Sequence, residues 1–207
     1  MTDDEFHEIM TVARELRGVE FKSPGTMTSL LLQVLRAIQG IANTRDGGAV
    51  IIGATESRGA FDAVGLSDDE ANTWIPDNLR DAVAAYGDPP AEIQIERKVW
   101  QSKAFIAIVV AEFRDYPIIC KRDGQDGNNK KILRNGACYV RTRRKPETVE
   151  LPNQTEMRDL LELAIQKRLR EHVALMVSAG VLHFSPAGEI APADDKLYDD
   201  EAARMWS

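Results

Sequence analysis

The segment from Glu15 to Glu56 constrains the fold more than any other part of the chain, because an apolar helix leads directly into a buried strand. The apolar positions of the helix recur every three or four residues and are Leu30, Leu31, Val34, Leu35, Ile38 and Ile41. We therefore predict a helix over residues 26–43. Residues 49–54 read A-V-I-I-G-A, a run typical of a buried strand. The intervening N-T-R-D-G-G ends in two glycines, which can adopt positive φ.

The rest of the chain adds strands late and in hairpins. Further helices are predicted over 3–16, 70–86 and 155–176, further strands over 19–22, 92–100, 104–112, 118–121 and 138–142, and a polar loop over 57–69. This order predicts an α+β fold with a mixed β-sheet flanked by helices. We expect a domain over residues 1–150, a C-terminal helix packed on it over 151–182, and an acidic, partly disordered tail over 183–207.

Composition narrows the class of protein. A chain of 207 residues is long enough for one domain with a substantial core. No run approaches the roughly 20 apolar residues that a membrane-spanning helix needs, so no membrane partner is expected. The N-terminus is acidic rather than signal-like, and there are only two cysteines. These features predict a protein of the reducing cytoplasm.

Charge is distributed unevenly along the chain. The formal net charge is −7, yet residues 121–145 contain nine basic and two acidic side chains. A local basic segment can attract a polyanion even on an acidic protein, because salt screens distant charges. The alternative is that the segment is a hairpin whose charged side chains are exposed only to solvent. The segment therefore predicts a nucleic-acid partner, RNA or DNA, without distinguishing the two.

Three carboxylates lie at the borders of the predicted elements. Glu15 ends the first helix, Glu20 shares a strand face with Lys22, and Glu56 follows the buried strand. Carboxylate oxygens are the ligands that Mg²⁺ and Mn²⁺ prefer. The pattern predicts a metal site at Glu15, Glu20 and Glu56, with Lys22 as an additional catalytic cation. The alternative is that these glutamates form ordinary surface ion pairs.

The basic segment ends in a strand that combines an aromatic ring with arginines. Tyr139, Arg141 and Arg143 alternate on one predicted strand face, which would pair a stacking ring with phosphate donors. The predicted nucleic-acid-binding residues are Lys121, Arg122, Lys130, Lys131, Arg134, Tyr139, Arg141, Arg143, Arg144 and Lys145. The alternative is an edge strand protected from aggregation by its charges.

Several short motifs occur together in one order. They are E-x4-E-F-K from Glu15 to Lys22, A-N-T before the glycine pair, and Y-V-R at 139–141. In this order the chain resembles the Schlafen-type AlbA domain over residues 12–150. The resemblance implies a nucleic-acid-binding domain, in some members a metal-dependent endoribonuclease that cuts structured RNA, with the acidic residues at Glu15, Glu20 and Glu56. The third is Glu here, where the family often has Asp.

The resemblance also bears on assembly and biological role. The Schlafen core resembles two facing lobes, and this chain holds the length of one lobe, so a homodimer is expected. A role in stress or prokaryotic defence would follow from the family alone. Two other functions stay open: a non-catalytic DNA-binding or regulatory module, and an interaction protein that assembles through the helix at 155–176.

Other cofactor classes lack a sequence pattern. Cys120 and Cys138 are not arranged as C-x2-C, and the three histidines lie far apart in the sequence, so no zinc site is expected. The G-x-x-x-x-G-K-[ST] spacing of a P-loop is absent, and no ATP site is expected.

Overall fold

The computed structural model describes residues 1–12, 17–57, 60–142 and 147–181, and at 56, 57 and 60 it describes the backbone only. The helices of these ranges are α1 (Asp3–Val12), α2 (Met27–Ala42), α3 (Asp68–Asn72), α4 (Pro76–Tyr86) and α5 (Gln154–Ser178). The strands are β1 (Val19–Lys22), β2 (Gly48–Ile52), β3 (Ala54–Ser57), β4 (Ala60–Ala63), β5 (Gly87–Asp88), β6 (Ile93–Trp100), β7 (Lys103–Val110), β8 (Ile119–Cys120), β9 (Gly124–Gln125), β10 (Lys131–Leu133), β11 (Tyr139–Arg141) and β12 (Thr148–Glu150).

A four-stranded sheet has the strand order β1-β2-β7-β6. β1 runs parallel to β2, and β7 is antiparallel to both of its neighbours. The remaining strands form two-stranded pairs: β3 with β4, β5 with β8, β9 with β10, and β11 with β12. The mixture of parallel and antiparallel pairing, together with the helices, confirms the α+β prediction.

The two faces of this sheet bury separate apolar cores, because successive strand side chains point to opposite faces. Val50 and Ile52 of β2 join α2 in the larger core. Ala49 and Ile51 join Phe6 of α1 in the smaller core. Burial on both faces explains why β2 reads as a continuous apolar run rather than an alternating one. β1 differs, since its alternate positions Glu20 and Lys22 are charged.

The segment after β2 departs from the prediction of a loop followed by one long helix. Residues 54–57 and 60–63 instead pair as the antiparallel strands β3 and β4, in which Glu56 lies opposite Phe61. Glu56 is thus within a strand rather than just beyond one. The helix predicted at 70–86 is two helices, α3 and α4, because Pro76 disfavours helical backbone at the residue before it. Ile75 is accordingly extended, with φ −83° and ψ 123°.

The chain divides into two compact units, Met1–Ile165 and Gln166–Ser207. The first unit contains all the strands of the described ranges and the first three turns of α5, where Leu160 and Leu163 belong to the larger core. The described part of the second unit is the remainder of α5 and the residues to 181. The tail predicted at 183–207 and the helix end predicted at 13–16 lie outside the described residues. In the described ranges, no helix combines the length and apolar character needed to cross a membrane.

Candidate functional site

The turn between α2 and β2 is held from within by Asn43. Its Nδ2 donates to the carbonyl oxygens of Ile118 and Tyr139, each at 2.9 Å, and its Oδ1 accepts from the Ile118 amide at 2.7 Å. Asn43 is 5% exposed, so these bonds satisfy both ends of a buried amide. The asparagine of the A-N-T motif therefore fastens the α2 terminus to the segments around β8 and β11.

The glycine pair of the turn is packed against backbone rather than open to a ligand. A Cβ at Gly48 would lie 1.9 Å from the Gly18 carbonyl oxygen, and one at Gly47 would lie 2.2 Å from the Val110 carbonyl oxygen. Gly47 also has φ 65°, a conformation that favours glycine. This geometry supports a turn that reverses the chain into β2 rather than one that lets a phosphate approach the backbone.

Glu20 is the central charged residue of the site and is 6% exposed. Its Oε1 accepts a hydrogen bond from Lys22 Nζ. Its Oε2 accepts from Arg141 Nη1 and, at 2.7 Å, from Thr148 Oγ1. Both carboxylate oxygens thus have partners, and two of these partners are cations. The carboxylate fixes the Lys22 ammonium in place, as the alternation on β1 predicts.

Arg141 is buried rather than displayed, which corrects the prediction that it contacts phosphate. It is fully buried, with Nε donating to the Arg17 carbonyl at 2.7 Å and Nη2 to the Val19 carbonyl at 2.9 Å. Since β1 is an edge strand of the sheet, its outward carbonyls have no neighbouring strand to bond them. The Arg141 guanidinium supplies donors to that edge and to Glu20 at once.

Tyr139 is also inside the fold, so a nucleic-acid base cannot stack on it in this structure. It is 3% exposed, and its hydroxyl accepts the Arg134 amide hydrogen at 2.8 Å. The Arg36 guanidinium lies 5.3 Å from its ring centre, a cation–π distance. Burial raises the pKa of the Tyr139 hydroxyl. Tyr139 and Arg141 do lie on one face of β11, as expected, but that face is directed to the core.

A concave surface of about 470 Å³ lies beside β1, and we call it the β1 basin. Its lining residues come from β1, α2, the β9–β10 hairpin and β12, and are Glu20, Lys22, Gln33, Arg36, Asp126, Lys130, Ile132, Glu147 and Thr148. The basin therefore collects residues that lie as much as 128 positions apart in the sequence. Only Glu20, Lys22 and Lys130 among them were singled out by the sequence patterns.

The charges of the β1 basin differ in how far they are already neutralised. Lys22 is paired with Glu20, and Asp126 accepts hydrogen bonds from the amides of Asn128 and Lys130 within its own turn. Arg36 and Lys130 form no ion pair with any residue that the structure describes. The Nε of Arg36 is buried without a hydrogen-bond partner there. The lining holds three cations and three carboxylates, Glu147 being the third, and two of the cations, Arg36 and Lys130, come from different elements and lie beside the anchored Lys22 ammonium.

The other predicted nucleic-acid contacts are exposed but partly neutralised. Lys131 pairs with Asp123 at 3.2 Å, and Arg134 pairs with Glu150, holding the pKa of that carboxyl below its usual range. Arg122 lies over the Tyr86 ring at 5.3 Å. Lys121 is exposed. Arg143, Arg144 and Lys145 lie outside the described residues.

The predicted metal ligands are only partly described. Glu15 and the side chain of Glu56 lie outside the described residues, which leaves Glu20. In the described ranges, no group of three histidine, cysteine, aspartate or glutamate side chains is arranged to hold a metal ion. Glu20 alone does not fit a divalent cation, since its Oε1 already binds Lys22 and its Oε2 already binds Arg141 and Thr148.

Two residues of the site, Arg36 and Thr148, carry no signal in the sequence. Arg36 is the one charged residue of α2, in a position where arginine commonly reaches solvent. Thr148 lies on a three-residue strand with no motif of its own. Only the packing of α2 beside β12 brings them to Glu20. A Cβ on Gly40 of α2 would lie 2.5 Å from Thr148 Cγ2, which shows how closely these elements approach.

Comparisons with known proteins find limited similarity. No protein-family model matches the chain, and no curated protein matches it. A protein from Corynebacterium diphtheriae with a known crystal structure is 19% identical in sequence. The match has a TM-score of 0.42 and covers 65% of this chain and 22% of that one. The N-terminal domain of a RecG-related protein from Nitrosomonas europaea is 21% identical, with a TM-score of 0.42, over 60% of this chain and 83% of that one. Likenesses of this extent leave the function open.

Proposed function

We propose that this chain binds nucleic acid and that the β1 basin holds part of its phosphate backbone. The observation that supports the proposal is the presence of Arg36 and Lys130 beside the Lys22 ammonium, without ion-pair partners among the described residues. Arginine and lysine side chains are the usual phosphate donors of proteins. The proposal places the protein in a reducing cytoplasm, with two free cysteines as further support.

Each cation of the basin has a different physical role. The Lys22 ammonium is fixed by Glu20, so a phosphate that reached it would bind a preorganised donor. Arg36 has an unsatisfied Nε and a guanidinium placed over the Tyr139 ring. Lys130 is exposed on the β9–β10 hairpin and can follow a flexible backbone. Binding would therefore combine one rigid contact with two adaptable ones.

The resemblance to Schlafen-type domains supports a finer proposal, that the bound nucleic acid is RNA and is cut with the help of Mg²⁺ or Mn²⁺. Glu15, Glu20 and Glu56 would provide the carboxylates. In the described structure Glu20 Oε1 binds Lys22, so cleavage of this kind requires that carboxylate to exchange its lysine for another partner. The non-catalytic alternative leaves Glu20 as the anchor of Lys22.

The binding proposal is tested by fluorescence anisotropy with labelled 20-nucleotide RNA and DNA, single-stranded and duplex, at several salt concentrations. We expect the double variant Arg36→Gln/Lys130→Gln to bind about tenfold or more weakly, because two phosphate contacts are lost. Its plot of log affinity against log salt should flatten by about two units. Lys131→Gln is the matched control, since Lys131 lies on the same hairpin but pairs with Asp123.

Two outcomes would overturn this proposal. One is the absence of binding by the wild-type chain to all four probes at low salt. The other is a double variant with unchanged affinity and salt slope. Circular dichroism confirms that the variants are folded, and Lys130→Gln alone provides a second measurement if Arg36→Gln disturbs Tyr139.

Cleavage is tested separately with transfer RNA and Mn²⁺, with EDTA and a Glu20→Gln variant as controls. Metal-dependent products that disappear in both controls would support the nuclease. RNA that stays intact while bound would support the non-catalytic binding module. Binding and cleavage thus succeed or fail independently.

A further inference from the structure

α5 carries two apolar faces within the first compact unit. Leu160 and Leu163 are buried in the larger core. Met157, Leu161 and Ile165 are instead 42%, 51% and 64% exposed. Because these three residues recur every four positions, they form one ridge along the helix, which we call the outer ridge. A helix that already packs one face and exposes a second apolar face usually serves an interface.

The charges beside the outer ridge have a specific arrangement. Arg158 and Glu162 each follow a ridge residue by one position, so both lie on the same side of the ridge. Both are exposed, and neither forms an ion pair with a described residue, although their i, i+4 spacing would allow one. Arg158 therefore places a positive charge beside Met157, and Glu162 places a negative charge beside Leu161.

This arrangement is self-complementary when the helix is reversed. If two α5 helices meet antiparallel with Leu161 at the crossing point, Met157 of one copy faces Ile165 of the other. The same reversal brings Arg158 of each copy to the same side as Glu162 of the other, offset by two residues, about 3 Å along the helix axis. A twofold interface presents the same patch twice, so the pairing of opposite charges occurs on both sides of the axis.

We propose that the outer ridge is the contact between two copies of this chain, related by a twofold axis at Leu161. Packing of such i±4 ridges places helices at a crossing angle of about −50°. Contact is then limited to about two turns of each helix, so the dimer is weak, with a dissociation constant on the order of micromolar or above. The proposal is independent of nucleic-acid binding.

The pairing is tested with the full chain by sedimentation equilibrium between about 10 and 300 μM. The wild-type chain should show a reversible monomer–dimer equilibrium. Arg158→Glu and Glu162→Arg should each raise the dissociation constant about tenfold or more, because each places like charges together twice. An equimolar mixture of the two variants should recover the dimer, since opposite charges then face each other at both pairs.

The apolar contact has its own test. Leu161→Glu should abolish the dimer, while Val99→Glu, at an exposed apolar position on β6, should leave it unchanged. Both substitutions are at exposed positions, and circular dichroism checks that the fold is retained. The proposal is overturned by a wild-type chain that stays monomeric to 300 μM. It is also overturned by a dimer that tolerates Leu161→Glu, or by a variant mixture that stays monomeric.

Discussion

At the scale of single residues, Asn43 shows how one amide joins three parts of the chain. It ends α2, its Nδ2 donates to the carbonyls of Ile118 and Tyr139, and its Oδ1 accepts from the Ile118 amide. An aspartate has the same shape but cannot donate when ionised. The two side chains therefore differ in their buried hydrogen bonds and in their charge.

We predict that Asn43→Asp lowers the free energy of unfolding by about 3–5 kcal/mol, because it places a buried charge against two carbonyl oxygens. Urea unfolding followed by circular dichroism measures the change. Asn78→Asp is the matched control, since Asn78 is exposed in the first turn of α4, and it should change stability by less than about 0.5 kcal/mol. Equal stabilities of the two variants would contradict the role assigned to Asn43.

Cys138 is a second residue whose environment sets its chemistry. Burial raises the pKa of its thiol from 9.0 to about 11. At pH 8 the reactive thiolate fraction is then roughly 100-fold smaller than for the ordinary thiol. In a Cys120→Ala background, we predict that iodoacetamide modifies Cys138 at least about 100-fold more slowly in the native chain than in urea. Similar rates in the two states would show that the thiol is accessible and its pKa ordinary.

At the scale of elements, the edge strand β1 depends on a side chain from another strand pair. Arg141 of β11 bonds the carbonyls of Arg17 and Val19 and the carboxylate of Glu20. Such a contact needs the planar fork of a guanidinium, which a lysine ammonium cannot reproduce. The interaction connects the four-stranded sheet to the β11–β12 pair.

Arg141→Lys should therefore destabilise the protein by about 2–4 kcal/mol, since buried acceptors lose donors while the charge is kept. The same change in a surface pair, Arg134→Lys opposite Glu150, should cost less than about 1 kcal/mol. Chemical unfolding of both variants at pH 7 measures the difference. If the two variants lost equal stability, the buried ion pair of Arg141 would contribute no more than the exposed pair of Arg134.

At the scale of the whole molecule, the position of α5 decides where the first compact unit ends. The first unit extends to Ile165 and so includes the first turns of this helix. The reason is that Leu160 and Leu163 complete the same core as α2 and the sheet. The first turns of α5 are therefore structural parts of the unit that contains the β1 basin.

The double variant Leu160→Ala/Leu163→Ala should lose about 4–8 kcal/mol of stability, because each leucine leaves a cavity in the core. Met157→Ala/Leu161→Ala on the same helix is the control, and it should change monomer stability by less than about 1 kcal/mol. Thermal and urea unfolding at low protein concentration compare the two. A small effect of the first pair would show that the unit folds without α5.

Local pattern determined a large part of this fold. The apolar spacing of α2, the continuous apolar run of β2 and the β6–β7 hairpin each depend on neighbours within a few residues, so the sequence was sufficient to predict them. The pairing of Glu20 with Lys22 follows from strand alternation in the same way. The β3–β4 pair was missed because its polar composition resembles that of a loop.

Only the tertiary structure decided which charged residues are buried and which are exposed. Arg141 and Lys130 belong to the same basic segment, yet one is enclosed at the edge of β1 and the other is exposed at the basin. Thr148 bonds Glu20 and Arg36 lines the same basin because distant elements pack together. A side chain's type fixes its charge and hydrogen-bonding groups, whereas its burial and partners depend on which elements pack around it, and local sequence does not encode that packing.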